Sequence, residues 1–168
     1  MERDLPAGGV AIASSASSAS VEPARDGGSG ALYRALLAPR SVALIGASDD
    51  PAKTTGRPLR FLRQAGYAGR VYPINPKRDT VLGERAWASL DALPEVPEHA
   101  YILTPTDLAL DALEACAAKG VAVATILAAG FSESGPEGLA REARVREIVA
   151  RTGIRVVGPS GLGIVNVH

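Results

Sequence analysis

Ser41-Val-Ala-Leu-Ile-Gly-Ala-Ser48 carries the clearest structural signal in this chain. Four small or apolar residues run directly into Gly46, a pattern typical of a strand buried on both faces of a parallel sheet. Small and polar residues then continue to Gly56, and a helical pattern begins near Pro58. A strand, a small-residue loop and a helix in this order place backbone N–H groups and a helix N-terminus where a phosphate can bind.

Strands alternate with helices along the rest of the chain. The pattern predicts strands at 42–46, 70–74, 100–103, 121–127 and 154–157, and helices at 31–37, 58–65, 107–119 and 136–152, with one possible helical turn at 89–93. This alternation predicts an α/β fold: a Rossmann-like, open, mainly parallel five-stranded sheet with helices on both faces. Pro73 favours an edge or a strand end for the second strand, and Thr106 is expected to cap the helix that follows it.

The first thirty residues differ in composition from the rest of the 168-residue chain. Alanine, serine and glycine dominate there, and so little apolar surface cannot offset the entropy of ordering. We therefore expect a disordered low-complexity leader at 1–30 and one folded domain at 31–168. A signal peptide is the competing interpretation, but it needs a basic start and a longer apolar centre than the segment from Val10 to Ala13 offers.

The overall charge excludes some classes of partner. Eighteen basic residues balance eighteen acidic ones, so neither nucleic acid nor a membrane is expected as a bulk partner. No apolar run reaches the length of a membrane span. The one cysteine, Cys116, lies among alanines in a helical pattern and is expected to be buried in a reducing, cytoplasmic environment. A single cysteine permits neither an internal disulfide nor a cysteine-rich metal site.

Small residues close the four clearest strands, which leaves room for an elongated ligand across the sheet edge, although turn chemistry alone also favours such residues. The first loop lacks the G-x-G-x-x-G pattern of dinucleotide-binding folds. The second strand ends in Asn75-Pro76-Lys77-Arg78, with cations where an acid would accept from a ribose. A 2′-phosphate (NADP) or a 3′-phosphate (coenzyme A) therefore fits better than NAD, unless the two cations are simply a solvated pair.

Four stretches in order, 41–48, 69–77, 128–133 and 158–166, carry a resemblance to a known family. Together they resemble the N-terminal coenzyme A-binding domain of NDP-forming acyl-CoA synthetases. These are the ADP-forming acetate–CoA ligases related to the alpha subunit of succinyl-CoA synthetase. The resemblance covers about residues 38 to 166 and implies that the cofactor is coenzyme A.

The resemblance also implies a set of binding residues at the carboxyl ends of the strands. The loop at 46–48, extended by 53–55, is implied to cradle the phosphates, and Lys77 to face the adenosine phosphate. Residues 104–105 are implied to line the adenine or pantetheine path, and 129–130 to lie beside the pantetheine. Ser160 stands where the family usually has Asn, and Gly161 where it has Cys or Ser, so this last loop departs from the pattern. The implied set is Gly46, Ala47, Ser48, Lys53, Thr54, Thr55, Asn75, Lys77, Thr104, Pro105, Ala129, Gly130 and Ser160.

Catalytic chemistry is harder to find in this sequence. The family's reaction passes through a phosphohistidine in a following domain and a nucleotide in an ATP-grasp domain, and neither His99 nor His168 matches that histidine. His99 is expected to be a loop residue. No Ser/His/Asp set and no metal-ligand spacing is present. Glu133 can be considered as an acid or base, with a surface carboxylate leading a helix as the alternative.

Two functional hypotheses from different classes follow. The first is a coenzyme A- or acyl-CoA-binding module of a ligase, not catalytic alone, whose partners are further ligase domains or an ATP-grasp subunit. The second is a stand-alone coenzyme A- or nucleotide-binding regulatory protein with the same fold. An NADP-dependent oxidoreductase ranks third, because no catalytic Tyr-Lys pair can be identified.

Overall fold

The computed structural model describes residues 28–161, in which parallel strands and helices alternate as predicted. The strands are β1 (Ser41–Ile45), β2 (Arg70–Ile74), β5 (His99–Ile102), β6 (Val123–Ile126) and β7 (Arg155–Val157), with a hairpin of β3 (Thr80–Val81) and β4 (Glu84–Arg85). The helices are α1 (Gly28–Leu37), α2 (Arg57–Gln64), α3 (Thr106–Lys119) and α4 (Pro136–Thr152), and Ser132–Ser134 form a 3₁₀ turn. The five-stranded sheet has the order β2-β1-β5-β6-β7, and every neighbouring pair is parallel. Residues 1–27 of the leader predicted at 1–30, and the stretch 162–168, lie outside the described residues.

Alternation along the strands divides the core between the two faces of the sheet. Val42 and Leu44 point toward α2, whereas Ala43 points toward α3 and α4. Ala43, Ala100 and Ala124 are in register on three adjacent strands and are fully buried. Because these side chains are small, the apolar face of α3 can approach the sheet closely, and a core poor in aromatic residues still closes.

Two features lie at the β2 edge of the sheet: a proline within the strand, and a neighbouring hairpin that the sequence pattern did not predict. Pro73 lies in β2, which is an edge strand as expected, and its carbonyl accepts from Trp87 N at 2.9 Å. The hairpin turns at Leu82 and Gly83, with φ of 50° and 80°. Leucine is rare in such a turn, but Leu82 N donates to Asp49 Oδ1 at 2.7 Å, a contact between residues distant in sequence.

His99 is not a loop residue, so that prediction was wrong. It begins β5 and is only 2% exposed. Its Nδ1 lies 2.9 Å from Ala35 O and its Nε2 lies 2.8 Å from Thr125 Oγ1. Since a carbonyl can only accept, Nδ1 carries the proton and Nε2 accepts from the threonine hydroxyl. Burial lowers the pKa of His99, and the neutral ring joins α1 to the sheet.

Thr106 does not cap α3, which corrects a second prediction. Pro105 occupies the cap position without a side-chain hydrogen bond, and Thr106 Oγ1 instead donates to Ala129 O at 2.5 Å. The hydroxyl therefore joins the start of α3 to the loop after β6.

The other boundaries agree closely with the predicted ones. The α4 limits agree with the prediction, α1 begins three residues earlier at Gly28, and residues 89–93 contain only a turn closed by Leu93 N donating to Leu90 O at 3.2 Å. Cys116 is buried, as expected. No helix within residues 28–161 is long and apolar enough to cross a membrane.

Candidate functional site

The strand order reverses between β1 and β5, and a cleft opens there at the carboxyl edge of the sheet. β2 lies on one side of β1 in the sheet, and the later strands β5, β6 and β7 follow in order on the other side. Open α/β sheets bind their ligands at such a switch point. The cleft has a volume of about 850 Å³ and is bordered by the ends of β1, β2, β5 and β6 together with the first half of α3.

Several of the residues that the sequence singled out meet in this cleft, although they come from separate segments. Those that line it are Gly46, Thr54, Thr55, Asn75, Lys77, Thr104 and Pro105. The remaining ones, which do not line it, are Ala47, Ser48, Lys53, Ala129, Gly130 and Ser160. Ala47 is buried in the core below the loop, and Lys53 is exposed on the loop surface.

Gly46, which follows β1, packs closely against Thr104, which lies just beyond the end of β5. Its φ of +86° lies in the left-handed region, and a Cβ there would lie 3.1 Å from both Thr104 N and Thr104 Cγ2. Its N–H donates to Ile74 O at 2.9 Å. A side chain at this position would therefore strain the backbone and press against Thr104 at the floor of the cleft.

The loop after β1 is held in shape by its own hydrogen bonds. Ser48 N donates to Thr55 O at 3.2 Å, and Asp50 N donates to Ser48 Oγ at 3.1 Å. Asn75 Nδ2 donates to Ala47 O at 2.9 Å, which ties the loop to the end of β2. Ser48 and Asn75 thus support the loop, and Thr54 and Thr55 lie on its cleft side.

The basic residues after β2 differ in their surroundings. Arg78 pairs with Asp49 at 3.0 Å and so belongs to the support of the first loop. Lys77 lines the cleft and forms no ion pair with any residue from 28 to 161. Its backbone N–H donates to Asn75 Oδ1 at 2.9 Å, which fixes the turn that carries it. Lys77 is therefore the cation available to an anionic group in the cleft.

One wall of the cleft is apolar, and the sequence pattern did not predict it. Leu108, Ala112 and Ala115 share one face of α3, and residues 88–90 also line the cleft. Leu108 remains 50% exposed. The connection between β2 and β5 contains the hairpin and turns but no helix, so no helix from this connection covers that face of α3. The spacing of these three residues is visible in the sequence, but which helix face meets a cleft depends on the neighbouring elements.

Glu133 makes more contacts than a plain surface carboxylate. Its Oε1 accepts from Gly130 N at 2.6 Å and from Ser160 Oγ at 3.3 Å. The backbone hydrogen bond from Gly130 lowers the pKa of Glu133, so the group is a carboxylate at neutral pH. It has no position for proton transfer within the cleft, because it does not line it. No cluster of potential metal ligands occurs within residues 28–161.

Comparison with known proteins agrees with this geometry. Residues 40–167 match the family model described as a CoA binding domain. The chain is 38% identical over 137 residues to acetate–CoA ligase [ADP-forming] II of Archaeoglobus fulgidus, covering 79% of this chain and 20% of that protein. It is 37% identical over 130 residues to the alpha subunit of acetate–CoA ligase [ADP-forming] II of Pyrococcus furiosus, covering 77% of this chain and 28% of that subunit.

A solved structure shows the same relationship. The dinucleotide-forming acetyl-coenzyme A synthetase 1 of Ca. Korarchaeum cryptofilum, in complex with phosphate and ADP, superposes with a TM-score of 0.71 at 32% identity. The match covers 77% of this chain and 27% of that one. The chain thus spans between a fifth and a third of the length of these relatives. These matches confirm the resemblance drawn from the four motifs: the chain belongs to the CoA-binding domain family and is homologous to a part of ADP-forming acyl-CoA synthetases.

Proposed function

We propose that the cleft at the switch point binds coenzyme A, with the adenosine phosphate at Lys77 and the diphosphate along the loop after β1. The observation that carries this proposal is Lys77, a cation that lines the cleft and has no ion-pair partner among the described residues. Thr54 and Thr55 offer hydroxyl donors on the same side, and Gly46 keeps the floor clear of side chains. A phosphorylated, partly apolar ligand is complementary to this combination of a cation and the apolar wall on α3.

We extend this proposal to the role of the chain. It acts as the coenzyme A-binding module, centred on residues 31–168, of a cytoplasmic ADP-forming acyl-CoA ligase and cooperates with further ligase domains or an ATP-grasp subunit. The support is the short span of the match, since most of each relative lies outside it. By itself the chain does not form acyl-CoA. A stand-alone coenzyme A-binding regulator is the alternative, and a ligase continuation in the complete gene would distinguish the two.

Calorimetry with coenzyme A, NADP and NAD tests the ligand. We expect coenzyme A to bind and NAD to give little or no heat. If NADP bound more tightly than coenzyme A, the assignment of the ligand would be wrong. Incubation of the purified chain with ATP, a carboxylic acid and coenzyme A tests whether the chain is inactive by itself. Formation of acyl-CoA would contradict the proposal.

Lys77→Ala tests the position of the adenosine phosphate. One charge-assisted hydrogen bond to a phosphate in a wet cleft is worth about 1.4 kcal/mol, so coenzyme A should bind about tenfold more weakly. The 3′-dephospho form should lose much less affinity. Lys119→Ala is the matched control, because that ammonium donates to Asp91 O at 3.2 Å and does not line the cleft. If Lys77→Ala lowered the affinity for the two ligands equally, Lys77 would not bind the 3′-phosphate.

A further inference from the structure

The loop that follows β6, residues 127–130 and here called the β6 loop, is held by side chains from three separate elements. Thr106 at the start of α3 donates to Ala129 O at 2.5 Å. Arg141 on α4 donates to Gly130 O at 2.9 Å, and Glu133 accepts from Gly130 N at 2.6 Å. The loop backbone is therefore fixed by named partners, although no regular secondary structure contains it.

Glu133 is the one of these partners that also reaches the next strand end. Its Oε1 accepts from Ser160 Oγ at 3.3 Å, and Ser160 N donates to Ala128 O at 3.0 Å. The carboxylate thus joins the β6 loop to the loop after β7. A hydrogen bond from a backbone N–H to a carboxylate is stronger than one between neutral groups, so Glu133 is well suited to hold this junction.

We propose that Glu133 is a positioning residue for the bound ligand: it sets the β6 loop, and with it the β6 end of the cleft, without touching the ligand itself. Leu127 and Ala128 of the loop line the cleft, whereas Glu133 is exposed outside it. This inference rests on the proposed function, because the ligand concerned is coenzyme A in that cleft.

The sheet order places Glu133 far from the proposed phosphate end. β1 and β5 lie between β2, which precedes Lys77, and β6, which precedes the β6 loop. Three strand spacings amount to about 14 Å. A disturbance of the β6 loop should therefore affect a ligand long enough to reach β6 and spare one confined to the β2 end of the cleft. Dependence on ligand length is the signature that distinguishes positioning from general support of the fold.

Glu133→Ala tests this signature by calorimetry with coenzyme A and with adenosine 3′,5′-bisphosphate, which lacks the pantetheine arm. We expect about a tenfold weaker affinity for coenzyme A and less than about a twofold change for the bisphosphate. Glu133→Gln keeps an oxygen acceptor for Gly130 N, so it should recover most of the affinity. Glu147→Ala is the matched control, because that exposed carboxylate pairs with Arg144 at 2.9 Å and does not touch the loop.

The outcomes separate the two proposals. Equal weakening for both ligands, or none for either, overturns the positioning role while leaving coenzyme A binding intact. Wild-type chain that fails to bind coenzyme A overturns both proposals. If Glu133→Ala does not fold, Glu133→Asp replaces it: the shorter side chain keeps the charge but cannot span the same distance to Gly130 N. The same dependence on ligand length is then expected at smaller magnitude, and its absence overturns the inference.

Discussion

Gly46→Ala combines two costs that the structure allows us to separate. A left-handed backbone costs an L-residue about 1–2 kcal/mol. Part of this cost is offset, because alanine lowers the conformational entropy of the unfolded chain relative to glycine. The added Cβ would also lie 3.1 Å from two atoms of Thr104. Such overpacking adds about 1 kcal/mol or more. We therefore expect the free energy of unfolding to fall by about 2–3 kcal/mol.

Gly66→Ala is the control that isolates the contact. Gly66 has a similar φ of +70°, but nothing lies within 4 Å of a Cβ built there, so only the backbone cost of about 1 kcal/mol applies. Urea unfolding can be followed through the fluorescence of Trp87, since the chain has one tryptophan. Gly46→Ala should also weaken coenzyme A binding, and Gly66→Ala should not. Equal destabilisation by the two variants would refute the close approach of Gly46 and Thr104.

Two further predictions concern buried titratable groups. Burial lowers the folded-state pKa of His99 below its ordinary 6.5, so the unfolded chain takes up the proton first as the pH falls. The contribution of His99 to stability should therefore be full above about pH 6.5 and decrease as the pH falls toward 5. Thermal melts should show this pH dependence in the wild type but not in His99→Gln, and the same dependence in both would contradict the prediction. Burial raises the pKa of Cys116 to about 12. A thiol reagent should therefore modify the native protein at least about 100 times more slowly than the denatured protein. Fast labelling of the native protein would place Cys116 at the surface.

Much of the fold could be predicted because its signals are local. Apolar runs closed by glycine or proline predicted every strand of the main sheet, and Pro136 with its helical pattern predicted α4. The hairpin was missed because its strands have two residues each and because Leu82 is not a typical turn residue. Its conformation depends on Asp49, which lies more than thirty residues away in the chain.

The candidate site likewise combines features that the sequence indicated with features that depend on distant partners. A resemblance spread over four motifs was enough to indicate the family, and the family match confirms that family. Coenzyme A as the ligand of the cleft stays a proposal. The motifs did not indicate that Ser48 and Asn75 hydrogen-bond within the loop support, or that Glu133 connects two loops. Each of these roles depends on a partner that a one-dimensional pattern does not identify.

The amino-acid sequence alone is enough to indicate where strands and helices form, because backbone preference and hydrophobic spacing act within a few residues. It also determined that the second strand ends in cations rather than an acid. Long-range packing was needed to show that β1 lies between β2 and β5, that His99 is enclosed by α1 and β6, and that one face of α3 lines the cleft. These features depend on which segments pack side by side, and that choice is made by the whole core at once.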